Sequence, residues 1–125
     1  MKILIVDDER DVEALFRQKF RKEVKNNDLE LDFAFSGKEA LDILERKDPP
    51  DVVYVFSDIN MPGMTGLELL EKIKNQFPGM PVSMISAYGD TENYNRAKNS
   101  GAKEFFTKPI DFESLRREIH DLIKN

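Results

Sequence analysis

The stretch Lys2-Ile-Leu-Ile-Val-Asp-Asp8 decides the fold of this chain. Its apolar residues follow one another without alternation, which is typical of a β-strand that is covered on both faces. Two acids end the run, so we expect neither a signal peptide nor a membrane span here. The run therefore predicts a central strand of a sheet, with Asp7 and Asp8 at its carboxyl end.

Four further stretches of β type follow along the chain. Val52–Phe56 is again continuously apolar and predicts a second central strand. Leu29–Phe35 alternates between apolar and polar residues, which indicates a strand with one wetter face and suits the edge of a sheet. Pro81–Ser86 and Glu104–Thr107 are the remaining two stretches, and the last of them is short.

Helical patterns separate these strands. The first helix is predicted by apolar residues at every fourth position, namely Val12, Phe16, Phe20 and Val24. Ser36 and Thr65 each begin a Ser/Thr-x-x-Glu capping box, and Asp111 is a candidate N-cap for the last helix. Thr91–Ser100 is the weakest helix, because it offers few apolar residues that can pack inward.

The order of elements is therefore a strand followed by a helix, repeated five times. Such alternation predicts a parallel sheet with helices on both faces, because parallel strands need long crossover connections. Right-handed crossovers leave few topologies. We expect a flavodoxin-like (βα)5 doubly wound α/β fold with strand order 2-1-3-4-5.

Composition narrows the class of protein. A chain of 125 residues is enough for one domain, which we expect to span residues 1–125. The absence of Cys excludes thiolate metal sites and thiol catalysis, and the single His120, expected at the surface, excludes multi-His sites. A net charge of −5 argues against nucleic acid and membrane surfaces as partners, and we expect a cytoplasmic protein.

Polar side chains collect where the predicted strands end, which is where open parallel α/β sheets bind ligands. They are Asp7 and Asp8 after the first strand, Asp58 and Asn60 after the third, Ser86 on the fourth and Lys108 on the fifth. Three carboxylates at one edge repel one another unless a cation joins them; oxygen ligands alone favour a hard ion, and few protein ligands supplemented by water favour Mg²⁺ over Ca²⁺. A divalent ion, an ammonium and a hydroxyl around one carboxylate suit a phosphoryl group, and Asp58 is the candidate nucleophile.

Four segments carry these residues in a specific order and spacing. They are Ile3–Glu9, Ser57–Gly66, Ile85–Ala87 and Gly101–Pro109. Together they resemble the receiver domains of response regulators in two-component signalling, and the likeness covers essentially the whole chain. It is closest in kind to single-domain, chemotaxis-regulator-like receivers, so we expect no output domain after the last helix.

The resemblance implies a role for each acid. Asp58 matches the residue that accepts the phosphoryl group. Asp8 matches a direct ligand of Mg²⁺ (or Mn²⁺), and Asp7 matches an acid that acts on the ion mostly through water. Asn60 matches the position that offers a backbone carbonyl to the ion. The family catalyses its own phosphorylation and hydrolysis, so we expect no enzyme acting on a metabolite.

The resemblance also implies a switch and partners. Ser86 matches the switch hydroxyl, Phe105 the aromatic that changes rotamer, and Lys108 the lysine that meets the phosphoryl group. A cis peptide bond is implied before Pro109. The implied partners are a histidine kinase or His phosphotransfer protein and a downstream protein effector, with a second copy as a further candidate through the fifth strand and last helix. The loop after the fourth strand is expected to move inward on phosphorylation.

One departure from the family pattern concerns the third strand. The stretch from Asp51 to Asp58 is about two residues longer than the common pattern of the family. An extended third strand or a longer loop before it would accommodate the extra residues. Ser57 also stands where an apolar residue is more usual.

Simpler interpretations exist for two of the motifs. An Asp-Asp pair after a strand is, by itself, more often a helix N-cap than a metal site. Ser36-Gly37-Lys38 has part of a P-loop, but Asp32 stands where the first Gly is needed and Glu39 replaces Ser or Thr. A helix cap explains that segment better.

Two other function classes are alternatives at this point. A Mg²⁺-dependent phosphohydrolase with an Asp nucleophile, as in the haloacid dehalogenase family, keeps an Asp-x-Asp pattern after its first strand. The adjacent Asp7 and Asp8 do not fit that pattern. A flavodoxin-like cofactor binder needs a phosphate loop rich in Gly and hydroxyls at the same place, where this chain has two acids.

Overall fold

Five parallel strands form one sheet in the part of the chain that the computed structural model describes, residues 1–87 and 91–124. The strands are β1 (Lys2–Val6), β2 (Glu30–Ala34), β3 (Val52–Asp58), β4 (Val82–Ala87) and β5 (Phe105–Lys108). Their order across the sheet is β2-β1-β3-β4-β5, and every neighbouring pair is parallel. The predicted fold class and strand order are confirmed.

Helices connect the strands and cover both faces of the sheet. They are α1 (Asp11–Lys19), α2 (Arg21–Lys25), α3 (Gly37–Glu45), α4 (Gly66–Gln76), α5 (Thr91–Asn99) and α6 (Phe112–Lys124). The pattern that predicts one helix from Val12 to Val24 in fact spans two, because the backbone leaves the helical region at Phe20 (φ −109°, ψ 18°). Phe20 is fully buried and stacks on Phe16, so its side chain keeps the inward position that a continuous helix would give.

The predicted caps begin their helices. Ser36 Oγ accepts a hydrogen bond from the Glu39 backbone N–H at 3.1 Å. Thr65 and Glu68 form the full reciprocal capping box at the start of α4, with both bonds at 3.2 Å. Asp111 Oδ1 accepts from backbone N–H groups in the first turn of α6. These caps satisfy donors that lack partners within the helix, each worth about 1 kcal/mol.

An apolar layer lies on each face of the sheet, and β1 contributes side chains to both layers. Ile3 and Ile5 pack with buried residues of α1 and α6, whereas Leu4 and Val6 pack with buried residues of α3 and α4. Successive side chains of a strand point to opposite faces, so a strand covered on both sides needs an uninterrupted apolar run. Each such buried side chain contributes about 1.5–3 kcal/mol from burial.

A bulge in β3 accommodates part of the extra length before Asp58. Lys2 is paired with Val52 and Ile3 with Tyr54, so the register skips Val53, which is 39% exposed. An extra residue without a bulge would turn every following side chain to the wrong face. The bulge therefore keeps Asp58 at the carboxyl end of the longest strand, which has seven residues.

Candidate functional site

Three carboxylates meet at the carboxyl edge of the sheet. Asp7 and Asp8 follow β1, and Asp58 ends the adjacent strand β3. One carboxylate oxygen from each acid lies within 4.8 Å of the others, which is close enough for one ion to join all three. Asp7 and Asp58 are buried, with 5% and 4% of their surface exposed, whereas Asp8 faces solvent. The predicted meeting of the three acids is thus observed.

A lysine reaches the two buried acids from β5. Lys108 Nζ lies 3.5 Å from Asp7 Oδ2 and 3.5 Å from Asp58 Oδ2. β4 separates β5 from β3, so the long side chain crosses the width of one strand to reach the acids. The peptide bond after Lys108 is cis, as the resemblance implied. One ammonium therefore offsets part of the charge of two carboxylates.

Burial and crowding shift the ionisation of the acids. Burial, with the charge of Asp7 as a second cause, raises the pKa of Asp58 from 3.8 to about 6, although Lys108 opposes the shift. Burial also raises the pKa of Asp7, against the Glu9 backbone N–H that donates to its Oδ1 at 2.9 Å and against Lys108. Burial lowers the pKa of Lys108, but the neighbouring carboxylates outweigh it and the net shift is upward. The site as folded therefore attracts cations.

Ser86 lies on β4, the strand next to β3. It is fully buried near the end of β4, directly after Ile85, which pairs with Asp58. Phe105, at the start of β5, is partly buried and makes an edge-on contact with Tyr94 of α5 at 5.1 Å. Phe105 therefore links the sheet to α5.

The remaining predicted site features lie on connections. Asn60 is exposed two residues after Asp58, and its backbone N–H donates a hydrogen bond to the Asp58 carboxylate. The loop after β4 that is expected to move inward, residues 88–90, lies outside the described residues. His120 is half-exposed on α6, with Nε2 3.7 Å from Glu23 Oε2, on a different face from the acids.

Gly66 is a residue of the site that the sequence did not single out. Its backbone N–H donates to the Ile59 carbonyl at 2.8 Å, which folds the loop between β3 and α4 back over Asp58. A Cβ at this position would overlap the carbonyl oxygen of Asp58. The signal in the sequence is a Gly directly after the capping Thr65, where helix formers are favoured.

We expect Gly66→Ala to destabilise the fold by about 1–3 kcal/mol, because the added methyl group forces the loop away from Asp58. Gly79→Ala is the matched control, since a Cβ there meets nothing within 4 Å. Urea unfolding of both variants measures the effect. Equal stability of the two would contradict the close approach of Gly66 to Asp58.

The fold and the edge together define a class of protein: a flavodoxin-like α/β domain with an acidic, cation-attracting site at the carboxyl ends of its strands. Residues 3–120 match the family described as the response regulator receiver domain. The chain belongs to this family. Its membership disfavours the alternative of a phosphohydrolase with an Asp nucleophile.

Curated relatives support the family membership. The chain is similar to sporulation initiation phosphotransferase F of Bacillus subtilis, with 36% identity over 118 residues that cover 94% of this chain and 90% of that protein. It is also similar to the response regulator protein PilR of Pseudomonas aeruginosa, with 38% identity over 120 residues. That match covers 94% of this chain but only 25% of PilR.

Solved structures share the fold over nearly the whole chain. The receiver domain of NtrX from Brucella abortus has a TM-score of 0.81 and 33% identity, covering 98% of each chain. The receiver domain of the Francisella response regulator 1452 has a TM-score of 0.83 and 29% identity, covering 98% of this chain and 96% of that one. No helix in the described part of this chain is long and apolar enough to cross a membrane.

Proposed function

We propose that this receiver domain accepts a phosphoryl group on Asp58 from the phosphohistidine of a histidine kinase or His phosphotransfer protein. The observation that carries the proposal is the placement of Asp58. It is a buried carboxylate at the end of β3, with Lys108 Nζ 3.5 Å away and the two acids after β1 beside it. The phosphorylated domain then controls a downstream protein effector.

The residues at this edge fit a Mg²⁺ or Mn²⁺ ion. The three acids each offer a carboxylate oxygen within 4.8 Å of the others, and a hard divalent cation prefers such ligands. Asp8 and Asp58 would hold the ion directly, Asn60 through its backbone carbonyl, and Asp7 through water. When bound, the ion supplies positive charge to the oxygens of the transferred phosphoryl group.

The chemistry assigns one step to each of two side chains. A carboxylate oxygen of Asp58 attacks phosphorus, the new P–O bond forms, and the P–N bond to histidine breaks. The imidazole nitrogen keeps the electron pair of the broken bond. Lys108 stabilises the charge that develops on the phosphoryl oxygens. Later attack by water on phosphorus releases phosphate and restores Asp58, so the domain acts on itself and on no metabolite.

The output runs through β5, α5 and α6. A phosphoryl group on Asp58 adds acceptor oxygens, and Ser86 on the neighbouring strand is the hydroxyl that donates to one of them. Phe105 and Tyr94 connect β5 to α5, a helix with a single buried residue, Ala97. A helix so lightly anchored repositions at low cost. The changed surface is read by the effector or by a second copy.

A phosphotransfer screen against histidine kinases and His phosphotransfer proteins tests the proposal. Radiolabel should pass from one of them to this chain in the presence of Mg²⁺ and should stay on the donor when a chelator is present. Failure of every donor, and of acetyl phosphate and phosphoramidate, to label the chain would overturn the proposal.

We expect Ser86→Ala to separate the site from the output surface. Beryllium fluoride with Mg²⁺ mimics the phosphoryl group, so amide NMR shifts in the unsubstituted chain should appear around the three acids and across residues 86–108. In Ser86→Ala the shifts around the acids should persist while those in Thr91–Ser100 shrink severalfold, because the donating hydroxyl is missing.

Ser83→Ala is the matched control for this experiment. Ser83 is a buried serine of the same strand, but its hydroxyl contacts Tyr54 and the Glu104 backbone N–H, away from the acids. This variant should keep the full response in Thr91–Ser100. A full remote response in Ser86→Ala would show that the hydroxyl does not drive the switch.

A further inference from the structure

A basic groove lies between α1, α2 and α6, on a face that the phosphoacceptor chemistry does not use. Its volume is about 670 Å³. The basic side chains that line it are Lys19, Arg21, Lys22, Lys25 and Arg116. Only two acids, Glu23 and Asp28, line the same groove. The excess of positive charge here contrasts with the net charge of −5 of the whole chain.

The floor of the groove is ordered by a buried ion pair. Arg116 Nε lies 3.1 Å from Glu23 Oε2, and Glu23 is 9% exposed. The Arg116 guanidinium also lies over the Phe20 ring at 5.1 Å and donates to the Lys19 carbonyl oxygen. His120 Nε2 stands 3.7 Å from the same carboxylate oxygen. The negative charge of Glu23 is therefore already paired, and it does not neutralise the walls.

The walls carry cations that the described part of the chain does not pair. Arg21, Lys22 and Lys25 are exposed, and no carboxylate among residues 1–87 and 91–122 forms an ion pair with them. Lys22 and Lys25 lie in the last turn of α2, where a cation is favoured by the helix dipole. Arg21 is the first residue of that helix, where the dipole disfavours a cation. Local helix electrostatics therefore favour Lys22 and Lys25 but do not account for Arg21.

The groove is separate from the acid edge. α1 begins at Asp11, shortly after the acids, and runs for nine residues toward the groove. At about 1.5 Å of rise per residue, Lys19 lies roughly 12 Å farther along the helix axis than Asp11. The groove also lies apart from the contact between α5 and β5 that carries the output. A partner in the groove therefore leaves the acids uncovered, whereas α6 belongs both to the groove and to the proposed output path.

We infer that this groove binds an acidic segment of a partner protein. Carboxylates of such a segment would pair with Arg21, Lys22 and Lys25 above the ordered Arg116 floor. A nucleic acid fits less well, because its dense charge is repelled by the acidic remainder of the chain and needs a longer basic track than one groove provides. The inference does not depend on the proposed function of Asp58.

Fluorescence anisotropy with a short labelled peptide of alternating Glu and Ala residues tests the inference. The triple variant Arg21→Glu, Lys22→Glu, Lys25→Glu should bind this peptide about tenfold or more weakly, since three exposed ion pairs are lost. The matched control is Lys38→Glu, Arg46→Glu, Lys72→Glu, which changes the net charge equally at exposed positions on α3, at its C-cap and on α4, respectively. The control should retain most of the affinity. Peptide-induced amide shifts in the unsubstituted chain should concentrate at residues 18–28 and 116–120.

Three outcomes would overturn the inference. Equal loss of affinity in both triple variants would show that only the overall charge matters. Tighter binding of single-stranded DNA than of the peptide, lost in the groove variant, would assign the surface to nucleic acid. Self-association in sedimentation that the groove variant abolishes, without peptide binding, would assign the surface to a second copy of the chain.

Discussion

Asp58→Asn is expected to abolish phosphoryl labelling of this chain by acetyl phosphate or phosphoramidate in the presence of Mg²⁺. The amide has nearly the shape of the carboxylate but lacks the anionic oxygen that attacks phosphorus. Asp58 is buried at the end of β3, so the isosteric change should leave the fold intact. Intact-mass spectrometry after incubation with the donor measures the fraction that carries the label.

Two further variants sharpen this prediction. Asp42→Asn, an exposed acid on α3, should be labelled like the unsubstituted chain. Lys108→Ala should keep some labelling, because it removes a charge partner and leaves the nucleophile in place. It should lose the remote NMR response to beryllium fluoride. Stable label on Asp58→Asn would mean that the phosphoacceptor is a different residue.

The fold was predictable because its strongest signals are local. The uninterrupted apolar runs of β1 and β3 indicate strands covered on both faces, and the alternating β2 indicates an edge. The caps at Ser36 and Thr65 mark helix starts within one residue. Each of these signals depends on neighbours within a few positions of the chain, so no tertiary information is needed to interpret it.

The break between α1 and α2 and the bulge at Val53 were not predictable, for a common reason. The apolar period continues through Phe20 because its ring fills the core against Phe16 and Phe112, although the backbone has left the helix. Val53 likewise continues an apolar run while it is skipped in the pairing with β1. The apolar pattern reflects the burial of the side chains around each feature, and both backbone changes leave those side chains buried, so the pattern does not reveal them.

The charged residues of the candidate site were predictable, but their electrostatics were not. Topology alone places Asp7, Asp8, Asp58 and Lys108 at one edge. The raised pKa of Asp58 depends on burial, and the sequence does not show that Asp8 is exposed while Asp7 and Asp58 are buried. The basic groove was likewise not predictable from the sequence, because the ion pair at its floor joins Glu23 to Arg116, which are 93 residues apart in the chain.

In metal-free buffer, Asp58→Asn is expected to be more stable than the unsubstituted chain above pH 6. The folded pKa of Asp58 is about 6 and the ordinary value is 3.8, so between these values the folded state binds more protons than the unfolded state. The free energy of unfolding of the unsubstituted chain therefore falls as the pH rises from about 4 to about 6, by up to about 3 kcal/mol. The Asn variant has no proton to lose at this position, so this loss should be absent from its pH profile.

Mg²⁺ should reverse the order of stability at neutral pH. An ion that binds only the folded state stabilises it by about 4.1 kcal/mol at a thousand times its Kd, which exceeds the loss described above, and we expect this gain in the unsubstituted chain without any phosphate present. Asp58→Asn and Asp8→Ala should gain much less, because each removes a carboxylate from the cluster of three. Thermal unfolding from pH 4 to 8, with chelator and with Mg²⁺, measures both effects, and Asp42→Asn serves as the control. A melting temperature for Asp58→Asn that equals or falls below that of the unsubstituted chain at pH 7 in chelator would show that repulsion and burial of the three acids do not destabilise this fold.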